Sequence, residues 1–324
     1  MRKGLLFVTI LAAGILLIHA INAPAAQRLI SFMSPPAGGG AYVFVAGTIN
    51  VSNKYMTGDV KFVHEATTGT MEMVRRLMLA FGQKKEAFAD FGTPDAWNAY
   101  KGEADYKGKP FTDLRAIVFN QNTDVYLVVP ATSPIKSYAD VKGKRIGMGG
   151  AGSSPANCGH LLLDYYGVHK KDFKPYYYVY KESIEGLGDG SLDGAFFAGG
   201  YPMASYMELS TTKNVRIVPV DEGIAKKIIA EHPGHYTTLV KAKSYRGIDQ
   251  DTLIMGWTGA LWTHSLTNPD LVYAFIKNLF DHKEEYFQIH QETRVLSLEN
   301  ATKGIFVPFH PGAEKYLREV GAIK

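Results

Sequence analysis

The sequence predicts an α/β protein built as two lobes, and three observations carry that expectation. Apolar stretches alternate with helix-period patterns through most of the 324 residues. Three times near the start, an apolar run leads into a small-residue turn and then a helical pattern. Roughly 300 residues remain after an N-terminal leader, more than one hydrophobic core usually serves.

The leader is read from its three parts. Arg2 and Lys3 give a positive start, an apolar run covers 5–18, and Ala23-Pro24-Ala25-Ala26 offers an Ala-x-Ala cleavage pattern. The run is about 14 residues long, short of the ~20 that a spanning helix needs. A secretory signal peptide over 1–25, cleaved near Ala25, and a periplasmic mature chain are expected; an uncleaved anchor is the alternative. No Cys follows the run, which argues against a lipid tether. Formal net charge is +4, and losing Arg2 and Lys3 takes it to about +2 (4 − 2), with Lys and Arg scattered. That distribution argues against nucleic acid, which leaves a basic patch or stripe. The single Cys158 has no internal disulfide partner and sits in an apolar helical pattern, as a packed core residue does.

Along the chain, strands are expected at 29–33, 61–65, 125–129, 145–148, 176–180, 194–197, 215–218 and 253–261. Helices are expected from 41 into 51, over the face Val74, Leu77, Met78 and Phe81, around Trp97 and Tyr100, and over Cys158, Leu161, Leu162 and Tyr165. Ser137 reads as an N-cap with Asp140 three residues on and Gly143 past the end. Another helix starts at Pro269 behind the cap Asn268, with Val272, Phe275, Ile276 and Leu279 inward. Without a Pro- or Ser-rich linker, strands are expected to join the lobes.

In open α/β sheets, ligands collect at the carboxyl ends of strands, beside the starts of helices. Free backbone N–H groups and the helix dipole favour an anion there. The segment 149–156 fits, with glycines for close approach, hydroxyls on Ser153 and Ser154, and Pro155 in the first turn. The loops 38–42 and 67–70 have similar chemistry; taken singly, each is also an ordinary turn. Gly147-Met148-Gly149-Gly150-Ala151-Gly152 formally fits the dinucleotide fingerprint but lacks the acidic residue about 20 positions on. Gly152-Ser153-Ser154-Pro155-Ala156 resembles a loosened nucleophile elbow, yet Pro155 removes the N–H of its oxyanion hole. His232 and His235 lack a third ligand, so neither a metal nor a cofactor is expected.

The ordered motifs resemble the TAXI type of solute receptors, which serve tripartite ATP-independent periplasmic (TRAP) transporters. Gly38-Gly39-Gly40-Ala41-Tyr42 is similar to that family's first loop, and Glu65-Ala66-Thr67-Thr68-Gly69-Thr70 to its Thr-Gly-Ser turn. Asp140-Val141-Lys142-Gly143-Lys144-Arg145-Ile146 resembles its Asp-Leu-Lys-Gly-Lys-Arg-Val block, and 189–202 the stretch ending in Gly-x-Pro. Most specific is Val307-Pro308-Phe309-His310-Pro311-Gly312-Ala313-Glu314-Lys315-Tyr316.

The resemblance implies a type II periplasmic-binding-protein fold, two α/β lobes joined by crossing hinge strands, here 125–129 and 253–261. Lobe 1 is then 26–125 with 255–324, and lobe 2 is 126–254. It implies reversible capture of a small carboxylate-bearing solute, an organic acid or amino acid such as glutamate, rather than catalysis. The partners implied are membrane-embedded TRAP subunits driven by an ion gradient. Carried over, the ligand-binding residues are Gly40, Tyr42, Thr68, Thr70, Asn120, Asp124, Gly152, Ser153, Ser154, Pro155, Gly200, Tyr201 and Pro202. Gly92-Thr93-Pro94 departs from the family's Gln-Ser-Asp, and Gly152-Ser153-Ser154-Pro155 from its Gly-Ser-Gly-Thr. With Tyr201, and Phe91, Trp97, Phe119 and Phe197 nearby in sequence, a more apolar pocket than usual is expected. The rival readings are a binding protein for an ATP-driven importer or sensor kinase, and an exported serine hydrolase using Ser154.

Overall fold

The computed structural model describes residues 27–37, 40–56, 58–200 and 204–324. The leader, Gly38, Gly39, Tyr201 and Pro202 therefore lie outside the described residues. The first three strands each feed a helix: β1 (Arg28–Ser34) into α1 (Gly40–Tyr55), β2 (Val60–Ala66) into α2 (Thr70–Gly82), β3 (Ala87–Gly92) into α3 (Thr93–Lys101). The long β4 (Leu114–Pro130) then crosses the molecule. Beyond it come β5 (Arg145–Gly147), α4 (Ser154–Tyr165), β6 (Lys174–Tyr176), α5 (Tyr180–Asp189) and β7 (Gly194–Gly199). They are followed by α6 (Ala204–Thr212), β8 (Val215–Ile217), α7 (Glu222–Glu231) and β9 (His235–Val240). The second long strand, β10 (Thr252–His264), leads to α8 (Pro269–Asp281), the short α9 (Lys283–Tyr286) and α10 (Pro311–Glu319).

The strands form one sheet in the order β2-β1-β3-β10-β4-β7-β5-β6, with β8 on β4 and β9 on β10. β1 runs parallel to β2 and β3, and β5 parallel to β6 and β7, as strand–helix–strand units do. The central pair β10 and β4 is antiparallel, and its register shifts between Gly259 and Ala260 and again between Leu261 and Trp262. β10 pairs with β3 at one end and β9 at the other, and the far end of β4 pairs with β7 and β8.

Helices cover both faces, and the buried apolar side chains divide accordingly. On one side of the centre, Phe275 of α8 meets Phe32, Phe62 and Phe88 with ring centroids 5.9, 5.3 and 5.1 Å away. Tilted and edge-on contacts of this kind each add about 0.5–1.5 kcal/mol beyond area burial. On the other side, Tyr138, Ile146, Leu162, Leu163 and Phe196 pack with Val125, Leu127 and Val129 of β4. Cys158 belongs to that second core and is 4% exposed.

Three expectations need correction. The run 125–129 is only the end of a strand that begins at Leu114. Its middle, Asn120-Gln121-Asn122-Thr123-Asp124, is polar, yet Gln121 to Asp124 pair with β10, and Asn120 sits at the register shift between Gly259 and Ala260. The strand expected over 176–180 stops at Tyr176, because Glu182 accepts from Val179 N at 3.0 Å and turns the chain into α5. Ser137 and Asp140 do form a capping box, but the helix is one 3₁₀ turn, Tyr138–Val141. Among the described residues, no helix is long and apolar enough to cross a membrane.

Candidate functional site

Five helix beginnings meet at one place. A cavity of about 80 Å³ is lined by Gly40, Ala41 and Phe44 of α1, Gly69 and Thr70 at the start of α2, and Gly92 before α3. Ser153, Ser154 and Pro155 at the start of α4 and Tyr180 at the start of α5 face it from across, with Gly199 and Gly200 at the end of β7. Asp90, Phe91, Gln121, Thr123 and Trp257 from the central strands complete it. The first turn of a helix has N–H groups without helical partners and the positive end of its dipole. Several such ends around one cavity make a field that favours negative charge without a Lys or Arg.

Each helix start is shaped locally. Ser153 is the N-cap of α4, its Oγ accepting from Ala156 N at 3.4 Å, and Pro155 occupies the first turn, where a missing N–H costs nothing. Gly152 turns the chain into that cap at φ +68°, a conformation that disfavours side chains. Gly92 is confined by space: a Cβ there would lie 2.9 Å from Trp257 Cδ1.

A polar bridge joins the two sides. Thr70 Oγ1 and Ser154 Oγ are 2.8 Å apart, and Ser154 donates to Asp95 Oδ2 at 2.5 Å. Asn157 Nδ2 donates to the other oxygen, Oδ1, at 2.9 Å. Met71 N also reaches Gly152 O at 3.4 Å. Asp95 is 5% exposed, and burial pushes its carboxyl above the usual range, opposed by the Ser154 and Asn157 hydrogen bonds. The Ser154 hydroxyl is thus shared between Asp95 and Thr70.

Beyond the bridge lies a second cavity of about 410 Å³, which shares Ser154 and Trp257 with the first. It is lined by Glu103, Asp105, Asp164, Glu231 and three histidines, with Trp97 at its edge. Burial lowers the pKa of His160 and His232, and takes His235 to about 4. Among the described residues, no group of three or more His, Cys, Asp or Glu is arranged to hold a metal ion.

The structure brings Gly40, Thr70, Ser153, Ser154, Pro155 and Gly200 to the smaller cavity. Other expected residues stand apart from it. Tyr42 packs against His64, ring centroids 4.5 Å apart, and Thr68 gives its N–H and hydroxyl to Glu72 Oε2 at 2.7 Å each. Gly152 packs under Met71, and Asp124 accepts from Tyr236 at 2.7 Å and Tyr126 at 3.5 Å. Asn120 lies beneath the floor, donating to Asp90 Oδ2 at 2.9 Å. Tyr201 and Pro202 are outside the described residues. Of the aromatics expected nearby, Phe91 lines the cavity, whereas Phe119 and Phe197 are fully buried in the packed interior.

Sequence reasoning missed Asp90, Asp95, Tyr180 and Trp257. Asp90 carried a readable signal: a carboxylate inside Ala87-Phe88-Ala89-Asp90-Phe91, an apolar run in which a charge is costly unless paired.

Comparison with known proteins agrees with this architecture. An ancestral arginine-binding protein bound to arginine superposes with a TM-score of 0.51 at 14% identity, over 82% of this chain and 97% of that one. A protein from Xanthomonas citri bound to ATP superposes with the same TM-score at 10% identity, over 91% and 96%. At such identities the likeness shows the fold, that of the periplasmic solute-binding proteins. The model of the NMT1-like family, a periplasmic-binding-protein type, matches residues 33–321, nearly the whole chain, and the chain belongs to that family.

Proposed function

We propose that this solute-binding protein is the TAXI-type receptor of a TRAP transporter. It captures a small carboxylate-bearing solute, an organic acid or amino acid, and delivers it to membrane subunits driven by an ion gradient. Residues 1–25 act as a cleaved signal peptide and the mature chain works in the periplasm. Residues 26–125 with 255–324 form one lobe and 126–254 the other, hinged where β4 and β10 cross. The observation that carries this reading is the convergence of five helix N-termini on one cavity whose lining, among the described residues, holds no cationic side chain. Such a site holds an anion by backbone donors and hydroxyls and has no group poised to transform it. Gly40, Thr70, Ser153, Ser154, Pro155 and Gly200 contact the solute. Asn120 acts one step back, through Asp90, and Tyr201 and Pro202, which follow Gly200 in sequence, stay in the proposed contact set.

A ligand draws two lobes together only by binding the closed form better than the open one. Contacts reaching the solute from both lobes therefore dominate affinity. Native mass spectrometry of freshly purified protein tests the proposal. A co-purifying small carboxylate, released on denaturation, is the expected result. A bound cation or lipid in its place, or stabilisation only by uncharged solutes, contradicts it.

A further inference from the structure

The cavity at the helix starts has an acid at its floor. Asp90 is fully buried in β3 and lines the cavity, yet among the described residues no cation pairs with it. Its oxygens accept from two neutral amides of β4, Asn120 Nδ2 and Gln121 Nε2, each at 2.9 Å. Beside it on β10 stands Leu261, and β1 pairs with β3 through Ser31, Phe32 and Met33, none of them titratable. From α9 comes the buried phenol of Tyr286, which feels the Asp90 charge, and from α5 Tyr180, whose hydroxyl goes to Ala198 O at 2.7 Å. Glu292 lies at the Gly200 end, close enough that a Cβ on Gly200 would overlap its carboxylate. Lys303, the ammonium over β4, reaches Asn122 at 3.5 Å rather than Asp90.

A carboxylate solute entering this cavity would meet a second carboxylate within a few ångströms, and two such charges do not share a dry site. One of them takes a proton, as in paired acids elsewhere. We propose that Asp90 binds a proton from solvent as the solute's carboxylate enters, and then donates its O–H to that carboxylate. Capture is thus the joint uptake of one anion and one proton. No bond is made or broken in the solute, and charge is conserved because the proton comes from water or buffer. Burial already lifts the Asp90 carboxyl to about 7, opposed by the Asn120 and Gln121 hydrogen bonds, so little further push is required.

This inference rests on the carboxylate reading above, and its test separates the two. Acetate, pyruvate and glutamate serve as probes, with acetamide as the uncharged control, in titration calorimetry run in buffers of different ionisation heat. Expected for the wild type is uptake of close to one proton per carboxylate at about pH 8 and close to none at about pH 5.5, with Kd rising ~10-fold per pH unit above the Asp90 titration. Asp90→Asn is expected to bind with no proton uptake and a flat pH profile; the wild-type proton count stands by itself if that variant folds poorly. Carboxylate binding without proton uptake at about pH 8 overturns the inference and leaves the carboxylate reading intact. Failure of all three carboxylates to bind at any pH overturns both.

Discussion

Replacing Ser154 by Ala removes one oxygen that touches both sides of the molecule. It deletes the 2.8 Å contact with Thr70 and the 2.5 Å bond to Asp95, leaving the buried carboxylate with Asn157 alone. A neutral hydrogen bond contributes a net ~1 kcal/mol and one to a charged group about 1.5–3 kcal/mol, so the change removes roughly 2.5–4 kcal/mol from the bridged form. If the bridge forms only when the lobes close, that loss falls on the closed state and opens the equilibrium by roughly 60- to 700-fold, at 1.4 kcal/mol per factor of ten. Small-angle scattering reads the result as a larger radius of gyration, and hydrogen exchange as faster exchange at the starts of α2 and α4. Asn157→Ala, which leaves Ser154 in place, is expected to give a smaller opening. An unchanged radius and unchanged exchange in Ser154→Ala would refute the idea that this bridge holds the lobes together.

Other consequences follow from packing and titration. Gly92→Ala drives a Cβ to 2.9 Å from Trp257 Cδ1, and overpacking of this kind costs about 1–3 kcal/mol; a midpoint in urea equal to wild type would contradict it. His310 is fully buried, with Nδ1 accepting from Gly312 N at 3.2 Å and Nε2 bonded to Thr267 O at 3.0 Å, and burial lowers its pKa from 6.5 to about 4. The unfolded chain therefore binds the proton first, so this stabilisation is present above pH 6.5 and is lost as pH falls towards 4. The loss is on the order of 3 kcal/mol, visible in denaturant titrations and expected to shrink in His310→Asn. The Cys158 thiol is buried and its pKa is pushed up, so a disulfide reagent should label it only after unfolding; labelling in native buffer would show that the α4 core opens.

Much of this architecture is written locally. The caps Ser137 and Asn268, the glycine turns and the one-sided apolar faces of α2, α4 and α8 act through neighbours in sequence, and so they can be read there. The features that escaped reading depend on distant partners. The polar middle of β4 is a strand because β10 supplies its ladder, and 120–124 alone offer no period-two apolar pattern. Asp95 looks like an ordinary first-turn acid that favours the dipole of α3; only the fold brings Ser154 and Asn157 to it from about sixty residues away. Trp257 reads as one more apolar residue in β10, and its place between two cavities follows from how β3 and β10 pair. Conversely, Thr68 carries the right chemistry for an anion loop, but Glu72 four residues on takes both of its donors.

A crystal structure of the protein with its co-purified solute tests the central claim most directly. The account predicts a carboxylate seated between Gly40, Thr70 and Ser153–Pro155, its oxygens accepting from backbone N–H groups and hydroxyls of both lobes. A solute lodged instead beside Glu103, Asp105 and Glu231, or one that presents a cation to the helix starts, would contradict it.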